Sequence, residues 1–270
     1  MAKRTTFQAL RSLIKHVAIP PPIKPHEEAY VKKIFSGVES QRMASLSSSE
    51  KKDLPDWDGP EIAFAGRSNV GKSSLINALT SSTIMKASKT PGRTQQLHFI
   101  SVGGKVGSRP DLVLVDMPGY GFANAPKTMV DDFHRLVGRY VKHRSQENLK
   151  RIFLLIDSRR GITAVDTEFM DLLEDLDADF QVVFTKVDTL TPSALEKTIA
   201  SAETFIQRYM RMHPILHLVS SKKEMGVREL KNETVSCTGL LFNLQTKAQK
   251  RAIREMELEL VNESEGVKPL

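Results

Sequence analysis

The sequence predicts an α/β fold, a mostly parallel six-stranded sheet with helices on both faces. From about residue 60 onward, short apolar runs alternate with longer segments of helical periodicity, which is typical of parallel strands joined by crossover helices. The runs are nearly continuously apolar, as expected for strands buried on both faces. They span residues 61–65, 112–115, 152–156, 180–184 and 215–219. Residues 95–102 alternate more and predict an edge strand, and the helical patterns lie near 72–80, 126–143, 165–175, 192–211 and after Gly226.

Length and composition indicate an ordinary soluble protein with one sizeable core. The chain has 270 residues, of which 40% are apolar and 26% are charged. A formal charge of +7 and a pI near 9.4 favour contact with a polyanion such as RNA, DNA or an acidic membrane surface. Cys237 is the only cysteine, which excludes an intramolecular disulfide or thiolate metal cluster and favours a reducing compartment. We expect no membrane span, because no stretch approaches the roughly 18 apolar residues required.

The N-terminal segment differs from the rest in composition. Residues 1–26 contain no Asp or Glu, and on a helical wheel the apolar side chains between Phe7 and Val17 lie opposite Arg4, Arg11 and Lys15. An acid-free, basic, amphipathic leader is typical of an organellar transit peptide, and a disordered basic arm that touches RNA is the alternative. The predicted organisation is a basic extension at 1–28, a globular domain at 29–245 with a linker-like loop near 40–58, and a charged tail at 246–270.

A phosphate-binding loop is predicted directly after the first apolar strand. Gly66-Arg-Ser-Asn-Val-Gly71-Lys72-Ser73 fits the pattern G-x-x-x-x-G-K-[ST] and opens a predicted helix. The two glycines let backbone N–H groups point at phosphate oxygens, and the helix adds the positive end of its dipole. Lys72 is predicted to reach the β- and γ-phosphates of a nucleotide, and Ser73 to ligate Mg²⁺.

Two further segments predict the metal and γ-phosphate contacts. In Leu112-Val-Leu-Val-Asp116-Met-Pro-Gly119, the Asp116 carboxylate can hold Mg²⁺ through water, and the Gly119 N–H can reach the γ-phosphate. Taken alone, Asp-x-Pro-Gly is equally compatible with a simple turn. Thr94, in the turn-rich segment 90–95, is the candidate switch threonine that completes the Mg²⁺ shell in the triphosphate state. An ordinary surface loop is the alternative there.

A base-reading segment, Thr185-Lys-Val-Asp188, follows another apolar strand. The Asp188 carboxylate can accept hydrogen bonds from the N1 and N2 edge of guanine, and adenine offers no such pair of donors, so GTP is favoured over ATP. Lys186 is expected to lie along the face of the base, and the N–H of Ser221 to reach guanine O6. The predicted nucleotide site, in which Lys72 and Thr94 have catalytic roles, comprises Gly66, Arg67, Ser68, Asn69, Val70, Gly71, Lys72, Ser73, Ser74, Pro91, Gly92, Arg93, Thr94, Asp116, Met117, Pro118, Gly119, Thr185, Lys186, Val187, Asp188, Ser220, Ser221 and Lys222.

In this order, the motifs resemble the Ras-like G domains of the translation-factor-related class, and the match narrows to the EngB family, also called YihA or YsxC. The similarity covers about residues 30–230, and its most specific phrases are Pro-Glu-Ile-Ala-Phe-Ala-Gly-Arg-Ser-Asn and Pro-Gly-Tyr-Gly. The resemblance implies a GTPase that helps to assemble the large ribosomal subunit, binding the precursor subunit and its rRNA as the GTP form and leaving after hydrolysis. Eukaryotic members are typically organellar, which together with the leader favours a mitochondrion, with a plastid or the cytoplasm as alternatives.

Three residues bear on the mechanism that the resemblance implies. Tyr120 occupies the position at which Ras-like proteins carry a water-orienting glutamine, so slow intrinsic hydrolysis is expected. In related GTPases an Asn at the position of Asn69 coordinates K⁺, which predicts a catalytic role for Asn69 and K⁺-stimulated hydrolysis. Thr185 replaces the commoner Asn of the base-reading motif, so micromolar affinity for the nucleotide is expected.

The segment 234–239 is expected to interrupt the final helix, which leaves the end of the domain open.

Two other classes of function are weighed against an assembly GTPase. Tyr120 is compatible with a structural module that holds nucleotide on ribosomal RNA with negligible turnover. A membrane-associated signalling GTPase has no lipidation motif in its favour. Surface runs such as 142–144 and 159–160 are candidate RNA contacts, although such charges more often only keep a face soluble. We expect a monomer, although no residue pattern determines the oligomeric state.

Overall fold

In a computed structural model, the chain forms one seven-stranded sheet flanked by helices. The structure describes residues 23–36, 41–47, 54–57, 59–85, 96–104, 108–121, 126–144, 148–242 and 244. The strands are β1 (Gln41–Ser47), β2 (Glu61–Gly66), β3 (Gln96–Val102), β4 (Leu112–Asp116), β5 (Leu149–Asp157), β6 (Phe180–Thr185) and β7 (His217–Leu218). The helices are α1 (Pro25–Ser36), α2 (Lys72–Thr80), α3 (Lys127–Arg144), α4 (Ala164–Asp175), α5 (Pro192–Ile206) and α6 (Val227–Ser236), and a 3₁₀ turn spans Val187–Thr189.

Across the sheet the strand order is β1-β3-β4-β2-β5-β6-β7, and the last five strands in this order run parallel to one another. The predicted mostly parallel α/β fold is confirmed. The predicted number of six strands is wrong, because residues 41–47 form β1, which pairs antiparallel with β3 at the edge of the sheet. β3, predicted as an edge strand, is therefore an inner one. β1 is polar in sequence, and among its described side chains only Leu46 is buried, so it lacks the apolar run that marks the other strands.

Two hydrophobic layers cover the two faces of the sheet. In β2, Ile62 and Phe64 face the layer that contains α1, α2 and α6, whereas Ala63 and Ala65 face the layer that contains α3, α4 and α5. Every residue of β2 is buried, which is why its sequence is continuously apolar after Glu61. The carboxyl ends of parallel strands meet at one edge of a sheet, so the segments that follow β2, β4, β5, β6 and β7 lie together.

Several helix bounds differ from those predicted. α1 is not foreseen by the sequence patterns and runs across residue 28, and α5 ends at Ile206, five residues before the predicted limit of 211. α6 continues through Thr234, whose hydroxyl donates to the carbonyl of Leu230 at 2.7 Å, and ends at Ser236, where a turn at 237–239 lies within the predicted interruption. The predicted leader up to residue 22 and the tail from 245 lie outside the described residues. No helix among the described residues is long and apolar enough to cross a membrane.

A buried polar cluster stabilises the edge of the sheet opposite the strand ends that carry the motifs. Glu61 is fully buried and accepts a hydrogen bond from the Tyr140 hydroxyl at 2.8 Å. The Arg144 guanidinium lies 3.4 Å from the second Glu61 oxygen and also donates to the carbonyls of Trp57 and Pro55. Burial raises the pKa of Glu61, and the Arg144 charge and the Tyr140 hydrogen bond oppose that rise. The arginine thereby joins α3, β2 and the segment before β2.

We expect Arg144→Met to lower the free energy of unfolding by about 3 kcal/mol, since removing one partner leaves a buried charge without compensation. Urea unfolding monitored by circular dichroism measures the change. Arg135→Met is the matched control, because Arg135 is 74% exposed in a surface pair with Asp132, and its loss should cost no more than about 0.5 kcal/mol. Equal effects of the two substitutions would contradict a role for the buried cluster.

Candidate functional site

The predicted phosphate-binding loop connects β2 to α2. Gly66 is the last residue of β2, and Gly71 immediately precedes α2 with a φ of 108°, a conformation that favours glycine. A Cβ added to Gly71 would meet nothing closer than the Lys186 side chain at 3.8 Å, so glycine is needed here for its backbone conformation and not for space. Asn69 is also left-handed, with a φ of 64°, which an asparagine tolerates. The successive turns curve the loop as anion-binding backbone nests do.

Lys72 and Asp116 meet at the mouth of this loop. The Lys72 ammonium donates to the Asp116 carboxylate, and their side chains are only 12% and 6% exposed. Asp116 is the last residue of β4, which neighbours β2 in the sheet, and Ser73 follows Lys72 in the first turn of α2. The structure therefore brings together the lysine, the carboxylate and the element that carries the serine hydroxyl.

The segment after β4 lies against the phosphate-binding loop. The Tyr120 N–H donates to the Gly66 carbonyl at 3.4 Å, and the Ser68 N–H donates to the Tyr120 carbonyl at 3.3 Å. A Cβ added to Gly119 would lie 2.8 Å from the Ser68 hydroxyl oxygen and 3.2 Å from the Ser68 backbone nitrogen, so glycine favours the close approach of the two segments. Met117 precedes this contact and is fully buried, with its N–H bonded to the Phe64 carbonyl at 3.0 Å.

The Tyr120 side chain points into the protein core. Its ring stacks on Phe169 with centroids 4.6 Å apart, and its hydroxyl donates to Asp166 Oδ1 at 2.8 Å. Burial, and then the Asp166 charge and hydrogen bond, raise the pKa of Tyr120 well above its usual value. The phenol therefore stays protonated and engaged with α4, so it does not take over the role of a water-orienting glutamine.

The predicted base-reading segment is joined to the phosphate-binding loop by two side chains. The Thr185 hydroxyl donates to the Val70 carbonyl at 2.8 Å, and the Lys186 ammonium donates to the Asn69 carbonyl at 2.6 Å. Thr185 thus supplies a contact between the two loops although it lacks the amide of an asparagine. Asp188 lies in the 3₁₀ turn that follows and is half-buried, and its carboxylate has no hydrogen bond from the described part of the chain.

The third predicted base contact, Ser220 to Lys222, lies beside that turn. The Val187 N–H donates to the Val219 carbonyl at 3.3 Å, and a pair of backbone hydrogen bonds between Ser220 and Met225 closes the loop. The Ser220 side chain is buried and accepts the Lys223 N–H at 3.1 Å. This places Ser221 and Lys222 next to the turn that carries Asp188.

Asp157 is a site residue that the sequence analysis misses. It ends β5 and accepts hydrogen bonds from Lys186 at 2.9 Å and from two nitrogens of the Arg159 guanidinium at 2.9 and 2.6 Å. Burial alone would raise the pKa of Asp157, but these hydrogen bonds outweigh it and hold the pKa well below its usual range. A cleft of about 190 Å³ lies between the segment that follows β5, which carries Asp157 and Arg159, and the phosphate-binding loop. A carboxylate at the end of a parallel strand is the same signal that reveals Asp116.

The predicted Mg²⁺ ligands come from three segments: Thr94 from the switch segment, Ser73 from α2 and Asp116 from the end of β4. Pro91, Gly92, Arg93 and Thr94 lie outside the described residues. In the described part of the chain, no group of three or more His, Cys, Asp or Glu side chains is arranged to hold a metal ion. The hydroxyl of Ser73 and the carboxylate of Asp116 are hard oxygen donors, which suit Mg²⁺ when substrate phosphates supply further ligands.

Comparison with known proteins identifies the family. A family model described as a 50S ribosome-binding GTPase matches residues 61–186. A GTP-binding protein EngB of Bartonella quintana (strain Toulouse) is 45% identical over 182 residues, which cover 66% of this chain and 84% of the relative. The chain belongs to the EngB family. The EngB protein of Ruegeria pomeroyi is 39% identical over 220 residues, or 80% of this chain and 96% of the relative.

A solved EngB structure agrees with the fold. The crystal structure of a GTP-binding protein engB superposes with a TM-score of 0.50 at 25% identity, covering 66% of this chain and 98% of that protein. With the EngB relatives and the GTPase family model, this makes the chain a GTP-binding P-loop GTPase. The family, the fold class and the enzyme class predicted from the sequence are confirmed.

Proposed function

We propose that this EngB-family GTPase is an assembly factor for the large ribosomal subunit, which it binds in the GTP form and leaves after hydrolysis. One observation carries the enzymatic part of the proposal: the Lys72–Asp116 contact lies beside a base-reading loop bonded to the phosphate-binding loop through Lys186 and Asn69. The net positive charge of +7 and the description of the matching family model support the ribosomal part.

We assign the phosphate and metal contacts to the residues around the first loop. Lys72 binds the β- and γ-phosphates, and Gly119 offers its backbone N–H to the γ-phosphate. Ser73 and Thr94 ligate Mg²⁺, with Asp116 acting through water. A bound Mg²⁺ would neutralise the negative charge that develops on the phosphates during hydrolysis. Lys72 lies close enough to Asp116 for both charges to act on one nucleotide.

Base recognition falls to the loops after β6 and β7. Asp188 accepts the two N–H donors of guanine, and the carboxylate is half-buried and without a partner in the described residues, so it is available for them. Lys186 stays extended along the base because Asn69 and Asp157 hold its ammonium group. The Ser221 N–H donates to guanine O6. These contacts favour GTP and GDP over adenine nucleotides.

Intrinsic hydrolysis is expected to be slow and to accelerate on the ribosomal precursor. Tyr120 is committed to the core by its bond to Asp166, so the partner must supply what a glutamine supplies elsewhere. Single-turnover GTP hydrolysis, measured with and without large-subunit precursor particles, tests this. We expect an increase of about tenfold or more on the particles. An unchanged rate would favour a structural module that holds nucleotide on rRNA, and particle profiles after depletion would show whether assembly of the large subunit depends on the protein.

We further propose that Asn69 places a K⁺ ion beside the phosphates. Its left-handed backbone and the Lys186 contact fix the residue at the rim of the phosphate-binding loop, and its side chain is exposed there. A cation at this position would offset transition-state charge as an arginine finger does. We expect hydrolysis in K⁺ to exceed that in Na⁺ by about tenfold at matched ionic strength, and Asn69→Ala to remove the difference. Equal rates of the unaltered protein in the two salts would rule out the ion.

We propose that the protein works as a monomer in the mitochondrion and that residues 1–28 direct its import. The segment combines basic side chains with a helical row of apolar ones and has no acidic residue before Glu27. Fusing residues 1–28 to a fluorescent reporter tests the leader, with a matched fusion in which Arg4, Arg11 and Lys15 are changed to Gln. We expect only the first fusion to enter mitochondria. Plastid import, or a cytoplasmic signal from both fusions, would overturn the assignment.

A further inference from the structure

Tyr120 directly follows Gly119 and is bonded through both its backbone and its side chain. Its backbone pairs with the phosphate-binding loop at Gly66 and Ser68, and its hydroxyl bonds to Asp166 in the first turn of α4. We propose that Tyr120 is a positioning residue that holds Gly119 in register with the γ-phosphate of GTP, with Asp166 as its anchor. This inference rests on the proposed role of Gly119 in binding that phosphate.

The backbone contacts alone hold the segment weakly. The two hydrogen bonds between Tyr120 and the phosphate-binding loop are 3.4 and 3.3 Å long, beyond the usual range for N–H···O bonds. The side-chain bond to Asp166 is shorter, at 2.8 Å, and its acceptor is a carboxylate, which makes it the stronger contact. The position of the Gly119 segment therefore depends more on the phenol than on the backbone pairs.

The anchor itself is held in place. Asp166 Oδ2 accepts the Thr163 N–H at 2.9 Å and the Thr163 hydroxyl at 2.6 Å, so the carboxylate is part of the cap of α4. The side chain of Asp166 is buried, and the Tyr120 ring packs against Phe169 of α4 and Phe133 of α3, which also contact each other. The tyrosine thus connects the γ-phosphate segment to the two helices on that face of the sheet.

Displacement of Gly119 would affect GTP and GDP differently. Gly119 approaches Ser68 so closely that a Cβ would lie 2.8 Å from the serine oxygen, and small shifts of the segment therefore change its distance from the phosphate-binding loop. The γ-phosphate is present in GTP and absent from GDP, so loss of the anchor should weaken GTP binding and leave GDP binding nearly unchanged. The ratio of the two affinities is the quantity that reports on positioning.

The test compares Tyr120→Phe with Tyr209→Phe in the full-length chain. Tyr209 also donates to an aspartate of α4, Asp171, at 2.7 Å, so the second variant makes the same chemical change far from the phosphate-binding loop. Equilibrium titrations with GDP and with a non-hydrolysable GTP analogue give the ratio. We expect Tyr120→Phe to reduce the affinity for the GTP analogue relative to GDP by about five- to tenfold, and Tyr209→Phe to leave the ratio at the wild-type value. An unchanged ratio in Tyr120→Phe would overturn the proposal.

Variants of the anchor provide an independent measurement. Asp166→Ala should reproduce the altered ratio, because it removes the oxygen that accepts from the phenol. In the double variant Tyr120→Phe/Asp166→Ala the ratio should change no more than in either single variant, because each substitution alone already removes the bond between the phenol and the carboxylate. Additive effects would contradict the link between the two residues. Failure of the wild-type protein to bind either nucleotide would instead refute the proposed function.

Discussion

Replacing Lys72 with alanine is expected to weaken binding of both GTP and GDP by about 100-fold or more, because the substitution removes a buried positive charge from beside Asp116. The effect has two sources. The nucleotide loses the ammonium group that contacts its phosphates, and the Asp116 carboxylate, only 6% exposed, is left without its partner and repels them. Titration with a fluorescent GDP derivative in the presence of Mg²⁺ measures the loss.

Two further variants separate binding from folding for Lys72. Lys197→Ala removes a lysine from the exposed surface of α5 and should bind GDP as the wild type does. Lys72→Arg keeps the charge but replaces a compact ammonium with a planar guanidinium, so it should recover only part of the affinity. Thermal unfolding without nucleotide shows whether each variant is folded. If folded Lys72→Ala bound GDP as tightly as the wild type, the phosphate site would lie elsewhere.

The parts of the site that the sequence predicts are those that follow from local rules. Continuously apolar runs locate the buried parallel strands, and the first residues beyond such runs must lie at one edge of the sheet. Lys72 in the phosphate-binding loop and Asp116 at the end of β4 both follow such runs, and the structure places them in contact. The same rule applies to Asp157, a carboxylate that ends the apolar strand β5 as Asp116 ends β4.

Other features depend on packing between distant segments, which local patterns do not record. The edge strand β1 is polar, and its pairing with β3 is specified by backbone hydrogen bonds and not by an apolar run. The bond between Tyr120 and Asp166 joins residues 46 positions apart. From local sequence alone, Tyr120 reads as a turn residue and Asp166 as part of a helix cap, so neither indicates the bond. By residue identity alone, Thr185 lacks the amide contacts of an asparagine, whereas in the fold its hydroxyl donates to the Val70 carbonyl.

Replacing Asp188 with asparagine is expected to change the base that the protein selects from guanine to xanthine. The carboxylate accepts from both the N1–H and the N2 amino group of guanine, whereas an asparagine amide has one acceptor and one donor side. Xanthine presents the matching pair, because an oxygen replaces the amino group at position 2. We expect the affinity for GDP to fall by about 100-fold or more and the affinity for xanthosine diphosphate to exceed it, as measured by competition against a fluorescent nucleotide.

Asp175→Asn is the control for Asp188→Asn. Asp175 is exposed at the end of α4, so its substitution should leave the preference for guanine unchanged. The altered preference must appear as a changed ratio of the dissociation constants for GDP and xanthosine diphosphate, because a general loss of folding would weaken the binding of both nucleotides together. If Asp188→Asn retained the wild-type preference for GDP, the base would be read by groups other than this carboxylate. Weak binding of both bases by a folded variant would indicate that the carboxylate stabilises the loop and does not select the base.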